Sequence, residues 1–435
     1  MKLPESILAC INALEQAGFA AYAVGGCVRD DLLGLPPQDF DLCTSALPEQ
    51  TEAVFADRKL VLAGKKHGTV GVVMEDGVVE ITTFRTEGDY RDNRHPEWVA
   101  FVPEIEKDLA RRDFTVNAMA YTPTRGYADP FGGREDLKKG ILRAVGDPEL
   151  RFREDSLRIL RGARFAVKYG LEVEGKTLDA MISLAPLMEN LARERIFEEL
   201  CKLLLSVSCA EDLLRFAPIL AAVIPELGPM IGFQQHSPHH AYDVFTHTAH
   251  VVAGVSPDLN RRWAALLHDT GKIPTFTQDA NGRGHFYGHA PKSAEMADAI
   301  LRRLKAPTDL REDAVFLIGK HMTKLEPDRK LLRRRLSQYG WERVSDLLAL
   351  QIADFTSKGV TGDNWDYNQV DDLLTEIMEE KACLSVKDLE VNGHDLMALG
   401  YSGREIGEKL QWLLEQVLEE TVENEKQALL RCLKM

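Results

Sequence analysis

The first third of the chain carries short apolar runs separated by turn-forming residues, which is the pattern of β-strands. The runs before about residue 145 are A-A-Y-A-V (20–24), V-G-V-V-M (70–74), V-V-E-I-T-T-F (78–84) and I-L-R-A-V (141–145). Beyond that point, apolar residues recur with the period of an amphipathic helix, as in segments 157–166, 195–205 and 406–418. The pattern predicts a head of mixed strands and helices followed by an all-helical body.

Turn-forming residues also mark the expected domain boundaries. They cluster at Gly146-Asp147-Pro148, from Gln235 to His240, and from Gly359 to Asp363. A chain of 435 residues with 45% hydrophobic content has enough material for several cores. We therefore expect four segments, at 1–145, 146–235, 236–360 and 361–435.

The composition narrows the cellular setting. The seven cysteines show no C-x-x-C pair or framework spacing, so we expect free thiols in a reducing compartment. No apolar run is long enough to span a membrane, and Glu5, Asn12 and Glu15 stand where a signal peptide would need an apolar core. These features predict a cytoplasmic protein without a membrane partner.

The net charge of −15 argues against indiscriminate nucleic-acid binding, because such proteins usually present a basic surface. The arginines are nevertheless clustered, at Arg85, Arg91 and Arg94, at Arg111 and Arg112, and from Arg151 to Arg164. A basic cleft inside an acidic protein is one interpretation of these clusters. Solvated helix faces are the other.

Residues 24–41 combine a glycine turn with paired carboxylates. A short apolar strand runs into Gly25 and Gly26, whose backbone N–H groups can approach an anionic ligand, and a helix follows. Asp39 and Asp41 stand two apart, and in a strand this spacing would put both carboxylates on one face, directed at one hard cation. A Gly-Gly turn followed by an acidic loop is the plain alternative, but the combination favours metal-assisted nucleotidyl transfer.

This segment, G-G-x-V-R-D-x-x-L-G-x-x-x-x-D-x-D, resembles the signature of the class II tRNA nucleotidyltransferase and bacterial poly(A) polymerase family, within the polymerase-β superfamily. Further segments resemble motifs of the same family and follow one another in the same order. These segments are 65–69, E-I-T-T-F-R (80–85), R-R-D-F-T-V-N (111–117), E-D-S-L-R-I-L-R (154–161) and L-E-V-N-G-H-D-L (389–396). The resemblance covers nearly the whole chain. It implies an α+β fold with a polymerase-β-like head at 1–145, an all-α neck at 146–235 and a helical, tRNA-binding tail at 361–435.

Nucleotidyl transfer needs a metal pair that activates the attacking hydroxyl and neutralises the triphosphate. We predict Asp39 and Asp41 as the catalytic Mg²⁺ ligands, with Glu80 as a candidate third carboxylate or else a structural glutamate. Arg29 and Arg112 are expected to hold phosphates as planar guanidinium donors, next to the cradle at Gly26.

The E-D-S-L-R segment offers a way to choose a base without a template. Asp155 and Arg158 stand three apart, so on a helix an acceptor and a donor would project from one face. Cytosine and adenine present an amino donor beside a ring acceptor, which suits this pair, whereas uracil and guanine present the reverse. An ordinary surface ion pair is the alternative. The resemblance implies base recognition by Asp155 and Arg158, and extends this role to Arg161 and Arg164.

Segment 87–96 resembles the flexible loop of family members that add the terminal A, which disfavours an enzyme adding only C. The leading interpretation is template-independent addition of C, C and A to the 3′ end of tRNA from CTP and ATP. A poly(A) polymerase or an A-adding enzyme is the alternative within this class. The sequence leaves the oligomeric state open.

A second constellation of metal-binding residue types occupies the middle of the chain. His247, the adjacent His268 and Asp269, and Asp354 match the order of the HD metal-dependent phosphohydrolase family, with His289 and His321 available for a second ion. The resemblance implies an HD domain at 236–360 that takes Ni²⁺, Co²⁺ or Mn²⁺ and removes phosphate or 2′,3′-cyclic phosphate from tRNA ends. A structural relic is the alternative. An HD phosphohydrolase whose head only binds nucleotide or RNA is the competing function of another class.

Overall fold

The computed structural model describes residues 1–37, 39–88, 99–237, 241–359 and 367–433. It divides into two compact units. The first unit comprises Met1–Ser208 and Arg215–Gly228, and the second comprises Cys209–Leu214 and Pro229–Met435. The finer division into four segments stays a prediction, and most of the loop predicted at 87–96 lies outside the described residues, with Arg91 and Arg94.

The strands of the first unit lie mainly before residue 130. They are β1 Ala21–Val24, β2 Asp41–Thr44, β3 Leu60–Val61, β4 Thr69–Met74, β5 Gly77–Thr83, β6 Arg85–Glu87, β7 Val99–Phe101, β8 Ala120–Thr122, β9 Gly126–Ala128, β10 Ile141–Leu142 and β11 Glu172–Val173. Seven of them form one sheet in the order β3-β4-β5-β2-β1-β8-β9. β2 and β5 are parallel, and the other neighbours in this sheet are antiparallel.

Burial explains the order of the sheet. All four residues of β1 are buried, so this strand takes a central position. Tyr22, Val24 and Cys43 pack with Phe84 and Leu109 in one apolar cluster. The sheet therefore holds the ends of β1 and β2 rigidly beside each other.

The helices up to residue 223 are α1 Glu5–Gln16, α2 Gly26–Leu32, α3 Pro48–Val54, α4 Ile105–Ala110, α5 Gly133–Lys139, α6 Pro148–Glu154, α7 Leu157–Tyr169, α8 Gly175–Leu184, α9 Arg193–Ser206, α10 Glu211–Leu214 and α11 Ala217–Val223. All but α10 belong to the first unit. α7 buries nine of its thirteen residues, among them Arg158, and it packs against α9.

The second unit is almost entirely helical. Its helices after α10 are α12 Val244–Gly254, α13 Leu259–Leu267, α14 Lys272–Thr275, α15 His289–Arg303, α16 Thr308–Lys320, α17 Arg329–Tyr339, α18 Trp341–Thr356, α19 Tyr367–Glu379, α20 Gly393–Ala398, α21 Arg404–Leu418 and α22 Lys426–Cys432. A small hairpin joins β12 Thr277–Gln278 to β13 Gly284–His285. Helical 3₁₀ turns lie at Lys65–His67, Thr115–Asn117, Ala185–Asn190, Pro225–Met230 and Val386–Asp388.

The α+β class predicted from the sequence is confirmed, with a mixed sheet in the head and helices after it. The predicted run at 20–24 contains β1, and the runs at 70–74 and 78–84 overlap β4 and β5, each of which begins one residue earlier. The helical segments at 157–166, 195–205 and 406–418 lie within α7, α9 and α21. Across the described ranges, each helix is too short or too polar to cross a bilayer.

Candidate functional site

Two glycines bring the backbone of the first unit close to an arginine. β1 runs into Gly25, whose φ of +77° lies in the left-handed region, and α2 begins at Gly26. A Cβ atom at Gly25 would stand 2.9 Å from Arg112 Nη1, closer than Cβ atoms approach in proteins. Gly25 N donates to Met119 O at 2.9 Å, which fixes the turn to the sheet. The positive φ therefore favours glycine at this position, and a side chain there would also shift the flexible end of Arg112.

The predicted catalytic carboxylates follow this turn in the fold. Asp41 is the first residue of β2 and pairs in register with Val24, the last residue of β1. Asp39 precedes the strand, so the expectation that one strand carries both carboxylates is wrong. The physical reason is that β1 ends at Val24, where the chain turns at Gly25, so that the ladder offers Asp39 no partner.

The electrostatic surroundings of Asp41 connect it to both predicted partners. The walls of the cleft around Asp41 remove part of the water from its carboxyl and raise its pKa. The Arg112 guanidinium lowers the pKa of Asp41, and the Asp39 carboxylate raises it. A carboxyl whose pKa is raised by burial and by a neighbouring carboxylate gains from a bound cation, so this set of oxygen donors fits a hard divalent ion.

Glu80 lies on the strand next to Asp41. In the parallel pair β2 and β5, Leu42 is opposite Ile81, and continuing this register by one residue puts Glu80 beside Asp41 on the same face. Glu80 is exposed. Its role as a third carboxylate stays a prediction, supported by this register.

Asp41 lines a cleft of about 410 Å³ in the first unit. The lining residues are mostly charged or polar, and they are Gly25, Gly26, Arg29, Asp41, Arg111, Arg112, Asp113, Asn117, Asp155, Arg158, Arg161, Phe165 and Arg195. Seven of the predicted site residues meet here, and Asp39 and Arg164 are not in the lining. Sequence reasoning assigned no role to five lining residues, which are Arg111, Asp113, Asn117, Phe165 and Arg195.

Arg29 is held by protein contacts on several sides. Its guanidinium donates to Asn117 Oδ1, to Tyr169 Oη at 2.6 Å and to Asp30 Oδ1 at 2.9 Å, and it lies 4.3 Å from the Tyr169 ring centroid. It is buried, with 5% of its surface exposed. Arg29 therefore fixes Asn117 at the cleft, and phosphate binding by Arg29 stays a prediction.

Arg112 has more donor capacity left. Its Nη2 is 3.5 Å from Asp108 Oδ2, at the limit of a hydrogen bond, and its buried Nε has no acceptor among the described residues. A guanidinium group that is half-buried and only partly satisfied fits an anionic ligand better than a buried one that is engaged on several sides. The geometry favours Arg112 over Arg29 as the phosphate contact.

The predicted base-reading pair does not sit on one helix. α6 ends at Glu154, Asp155 has extended backbone angles (φ −137°, ψ 101°), and α7 begins at Leu157, so the expected i,i+3 helical spacing of Asp155 and Arg158 is wrong. The break forms because Asp155 Oδ1 accepts a hydrogen bond from Leu157 N at 3.0 Å, an alternative to helix continuation that aspartate offers. Both residues nevertheless line the same cleft.

Asp155 and Arg158 have different ion-pair partners. Asp155 Oδ2 accepts from Arg195 Nη2 at 3.2 Å, and Arg195 belongs to α9. Arg158 Nη1 donates to Glu154 Oε2 at 2.7 Å and to Arg151 O at 3.1 Å. Asp155 and Arg158 are therefore held in place by other residues and not by an ion pair with each other. Arg195 lies 40 residues from Asp155, and no local pattern signals that contact.

Arg161 and Arg164 pair with buried acids. Arg161 donates through Nε and Nη2 to Asp113 Oδ2 at 2.9 and 2.8 Å. Burial alone would raise the pKa of Asp113, but Arg161 and the Asn117 amide lower it to about 2. Arg164 donates to Glu199 Oε2 at 2.6 Å, and its predicted contact with the base has no support from the cleft lining.

The second unit gathers the histidines predicted to bind metal. Ligand atoms of His247, His268 and Asp354 lie within 4.8 Å of one another, and so do those of Asp269, His289 and His321. These two groups are the clusters of three or more such ligands found in the described ranges. The six predicted residues thus converge from separate helices and loops into one centre.

Each histidine is oriented in the same way. Nδ1 of His247, His268, His289 and His321 faces a backbone oxygen, at 3.2, 2.8, 2.9 and 2.7 Å, belonging to Ser357, Ala265, Phe286 and Ile318 respectively. This contact fixes the tautomer and leaves Nε2 directed into the centre, as in metal-ligating histidines. His289 Nε2 and His321 Nε2 are only 3.2 Å apart.

The centre contains buried polar atoms that suit a cation. His268 Nε2 and Asp269 Oδ2 lie 3.2 Å apart, and Lys272 Nζ is 2.8 Å from Asp269 Oδ2. Among the described residues, His268 Nε2 makes no hydrogen bond of normal geometry, so it is open to a cation. Burial would raise the pKa of Asp269, but His268 and Lys272 hold it well below its ordinary value. Burial and the charge of His268 lower the pKa of His321 to about 4, so His321 is neutral at pH 7 and free to ligate. The donor set of imidazoles and carboxylates fits a transition metal.

Comparisons with known proteins identify the family of the chain. Three family models match: "Poly A polymerase head domain" over residues 21–143, "Probable RNA and SrmB- binding site of polymerase A" over 170–230, and "tRNA nucleotidyltransferase domain 2 putative" over 288–433. The CCA-adding enzyme of Bacillus velezensis is 33% identical over 96% of this chain and 95% of its own length. The chain belongs to the CCA-adding enzyme family. Membership of the family implies use of a divalent metal.

Other relatives match over shorter stretches. The CCA-adding enzymes of Geobacillus thermodenitrificans and Geobacillus stearothermophilus are 47% and 48% identical over 51% and 47% of this chain, and the chain spans only about half of their length (54% and 50%). None of the three matching family models describes an HD domain, so the HD resemblance stays a prediction.

Solved structures of the family show the same fold. The Bacillus stearothermophilus CCA-adding enzyme in complex with CTP has a TM-score of 0.73 and 30% identity, covering 100% of this chain and 98% of that one. The Thermotoga maritima CCA-adding enzyme complexed with tRNA has a TM-score of 0.61 at 22% identity, covering 99% and 94%, which is a likeness of fold alone.

Proposed function

We propose that the chain adds C, C and A to the 3′ end of tRNA from CTP and ATP, in the cytoplasm. The observation that carries this proposal is the cleft in which Asp41, Arg112 and the Gly25 turn meet Asp155 and Arg158. It puts groups suited to a triphosphate and groups suited to a base edge into one cavity. The family membership supports the same reaction.

Asp41, with Asp39 and Glu80 as further oxygen donors, would hold Mg²⁺ at the head. Bound Mg²⁺ supplies activation of the attacking hydroxyl and neutralises charge on the triphosphate. Arg112 orients the phosphates through donors that the protein leaves unused. The Gly25 turn keeps this guanidinium group next to the end of β1.

Base selection follows from hydrogen-bonding capacity. Arg158 has five N–H donors, of which Glu154, Arg151 O and Arg111 O occupy three. A carboxylate accepts about four hydrogen bonds, and Asp155 spends two on Leu157 N and Arg195. The remaining donors and acceptors match the amino group and ring nitrogen of cytosine or adenine. Uracil and guanine would leave buried groups unpaired, at about 1 to 3 kcal/mol each.

The test is incorporation of each labelled nucleotide into tRNA lacking CCA, tRNA ending in CC, and complete tRNA. We expect C, C and A on the first substrate, A on the second and nothing on the third. Addition of A to the second substrate without any C on the first would indicate an A-adding enzyme, and long A tracts would indicate a poly(A) polymerase. No incorporation would leave only the HD phosphohydrolase with a binding-only head.

The histidine centre supports a second candidate function, metal-dependent hydrolysis of a phosphate ester. The observation that favours it is the convergence of six ligands in two groups, with the buried atoms His268 Nε2 and Asp269 Oδ2 only 3.2 Å apart where the groups meet. We propose Ni²⁺, Co²⁺ or Mn²⁺ as its metal, and phosphate or 2′,3′-cyclic phosphate at tRNA ends as its substrate. Phosphate release from such ends in each metal, with a chelator as control, tests this function against a structural relic.

A further inference from the structure

A cavity of about 420 Å³ adjoins the histidine centre within the second unit. Four of the predicted ligands, Asp269, His289, His321 and Asp354, lie on its wall. The other lining residues are Lys272, Phe286, Tyr287, Gly288, Ala290, Pro291, Met322 and Lys358. The cavity therefore joins cationic and metal-ligating groups to apolar side chains.

Tyr287 is a preformed aromatic surface at this cavity. Its side chain is 78% exposed although it is large and mostly apolar. The ring stacks on His285, with centroids 5.3 Å apart and an angle of 7° between the planes. His285 Nε2 in turn lies 3.1 Å from Asp279 Oδ2, and the β12–β13 hairpin carries this pair. Because the ring is already held, stacking a ligand on its free face costs little conformational entropy.

A second exposed apolar group faces the same cavity. Met322 is 60% exposed and directly follows the predicted metal ligand His321. Tyr287 precedes the predicted metal ligand His289 by two residues. Because two residues span at most about 7 Å, both apolar side chains lie within the length of a nucleoside from a predicted metal ligand. Thioether and aromatic side chains are typical partners of a planar, polarizable ring.

The charges beside the ligands suit an anion. Lys272 Nζ lies 2.8 Å from Asp269 Oδ2 and 5.4 Å from the centroid of the Phe286 ring. Lys358 lines the cavity from the end of α18. The N-terminal residues of the fifteen-residue helix α15 form part of the same wall, and the N-terminal end of a helix favours negative charge.

We propose that this cavity binds a nucleoside phosphate, either free or at the 3′ end of an RNA, with its base on Tyr287 and Met322 and its phosphate between the lysines and the histidine centre. The proposal rests on the hydrolytic function proposed above and names its substrate class. A phosphate ester without a base would have no use for the aromatic surface, whereas every nucleobase has a face that stacks on it.

The test is a binding cycle that combines a variant with a matched ligand pair. The ligands are two 5′-labelled trinucleotides with a hydrolysis-resistant 3′-phosphonate, identical except that the terminal residue is adenosine or abasic. The full chain is titrated with each ligand in Mn²⁺, and contacts that do not touch the terminal base cancel in the ratio of the two Kd values. The same titrations in an Asp155→Ala background remove base reading by the head cleft. For the wild type we expect about tenfold weaker binding of the abasic ligand, the typical contribution of one stacked base.

Tyr287→Ala should bind both trinucleotides equally, and Tyr287→Phe should keep the tenfold ratio. Met397→Ala, at a methionine of α20 that is 49% exposed, is the control for loss of an exposed apolar group and should behave as the wild type. A ratio that survives in Tyr287→Ala, or is absent from the wild type, would overturn the proposal. Adenosine and ribose 3′-phosphonates repeat the cycle, and a Tyr287-dependent ratio there identifies free nucleotides as ligands too.

The hydrolytic function is judged separately, by phosphate release from the unmodified 3′-phosphate. Base-dependent binding without release would contradict the hydrolase and leave the nucleotide site standing. Phosphate release without base-dependent binding would support the hydrolase and contradict the nucleotide site.

Discussion

At the scale of single residues, the first unit places groups with unused hydrogen-bonding capacity around one cleft. Asp41 has a raised pKa in that cleft, and the Arg112 charge opposes the rise. Asp155 and Arg158 are each fixed by part of their polar atoms and keep the rest for a ligand. Because these side chains are already held in place, they lose little conformational entropy when the ligand binds, and the free energy of binding is more favourable.

Asp41→Ala should reduce nucleotide incorporation at least about 10³-fold, since a metal ligand contributes several kcal/mol to the transition state. Asp39→Ala should also abolish incorporation, because Asp39 is the second predicted metal ligand. Single-turnover incorporation into tRNA lacking CCA measures both. Asp57→Ala, at a side chain that is 77% exposed, is the control. Activity like that of the wild type in Asp41→Ala, in Mg²⁺, would remove the head from the mechanism.

Asp155→Ala and Arg158→Ala should relax base choice, raising the use of UTP or GTP relative to CTP and ATP by about tenfold or more, because the groups that reject the wrong edge are gone. Arg195→Ala should change selectivity in the same direction, and Arg195→Lys less, since Arg195 positions Asp155. The measurement is the kcat/KM of each nucleotide. Arg153→Ala, at a 56% exposed side chain, is the control. Lower turnover with unchanged selectivity would make these residues structural.

The ion pair of the buried Asp113 with the half-buried Arg161 gives a pH-dependent stability. The pKa of Asp113 falls from an ordinary 3.8 to about 2 in the folded chain, which corresponds to about 2 kcal/mol of stabilisation. A lowered folded pKa stabilises above the unfolded pKa, so this contribution is complete above about pH 5 and is lost as pH falls towards 2.

Asp113→Asn should therefore lower the unfolding temperature of the first unit at pH 7, and the difference from the wild type should shrink as pH falls from 5 towards 2. Thermal unfolding followed by circular dichroism at a series of pH values checks this. A difference that does not depend on pH would show that lost packing, not lost charge, is the cause.

At the scale of elements, close backbone contacts hold the histidine centre together. A Cβ atom at Gly271, between His268-Asp269 and α14, would stand 2.5 Å from His289 O and 2.5 Å from Ser293 N. Gly271 N also donates to Ser293 Oγ at 2.8 Å. The segment that carries His268 and Asp269 therefore meets the start of α15, which carries His289, backbone against backbone.

Gly271→Ala should separate these segments, weaken metal binding by about tenfold or more and destabilise the second unit by about 1 to 3 kcal/mol. Gly319→Ala, within α16, is the matched control, because its Cβ would meet only Ala294 Cβ at 3.6 Å. Alanine is the better helix former there and should leave stability equal or higher. Metal titration and thermal unfolding of both variants test the contrast, and an undisturbed Gly271→Ala centre would contradict it.

At the scale of the whole molecule, two sets of ligands belong to two compact units. The oxygen donors of the head lie in the first unit and the histidine centre lies in the second. Oxygen ligands suit Mg²⁺ and imidazoles suit transition metals, so different ions should serve the two centres.

The double variant His268→Ala, Asp269→Ala should lose phosphate release from tRNA ends, yet keep C, C and A addition within about twofold. Ni²⁺, Co²⁺ or Mn²⁺ should support the hydrolysis better than Mg²⁺. Both activities are assayed on the same preparation, with tRNA binding measured alongside. With binding intact, a collapse of nucleotide addition would show that the two centres are coupled.

The sequence alone determined the class of fold and the family. Hydrophobic periodicity is a local property, so it predicted β1, β4, β5, α7, α9 and α21. The motif around Gly25 and Asp41 is also a local feature of the sequence, and it predicted the family. The order of the histidines predicted the ligands that the second unit brings together. Asp113 and Asn117 lay within a matched motif, but only the structure shows that they line the cleft.

The tertiary structure decided which partners hold these residues. The ladder that β1 offers ends at Val24, so β2 begins at Asp41 and leaves Asp39 outside it. A hydrogen bond from Leu157 N to the Asp155 carboxylate interrupts the predicted helix. Arg195, 40 residues from Asp155, supplies the ion pair that the alternative interpretation assigned to Arg158. Local propensity cannot encode such contacts, because they depend on where distant helices pack once the core has formed.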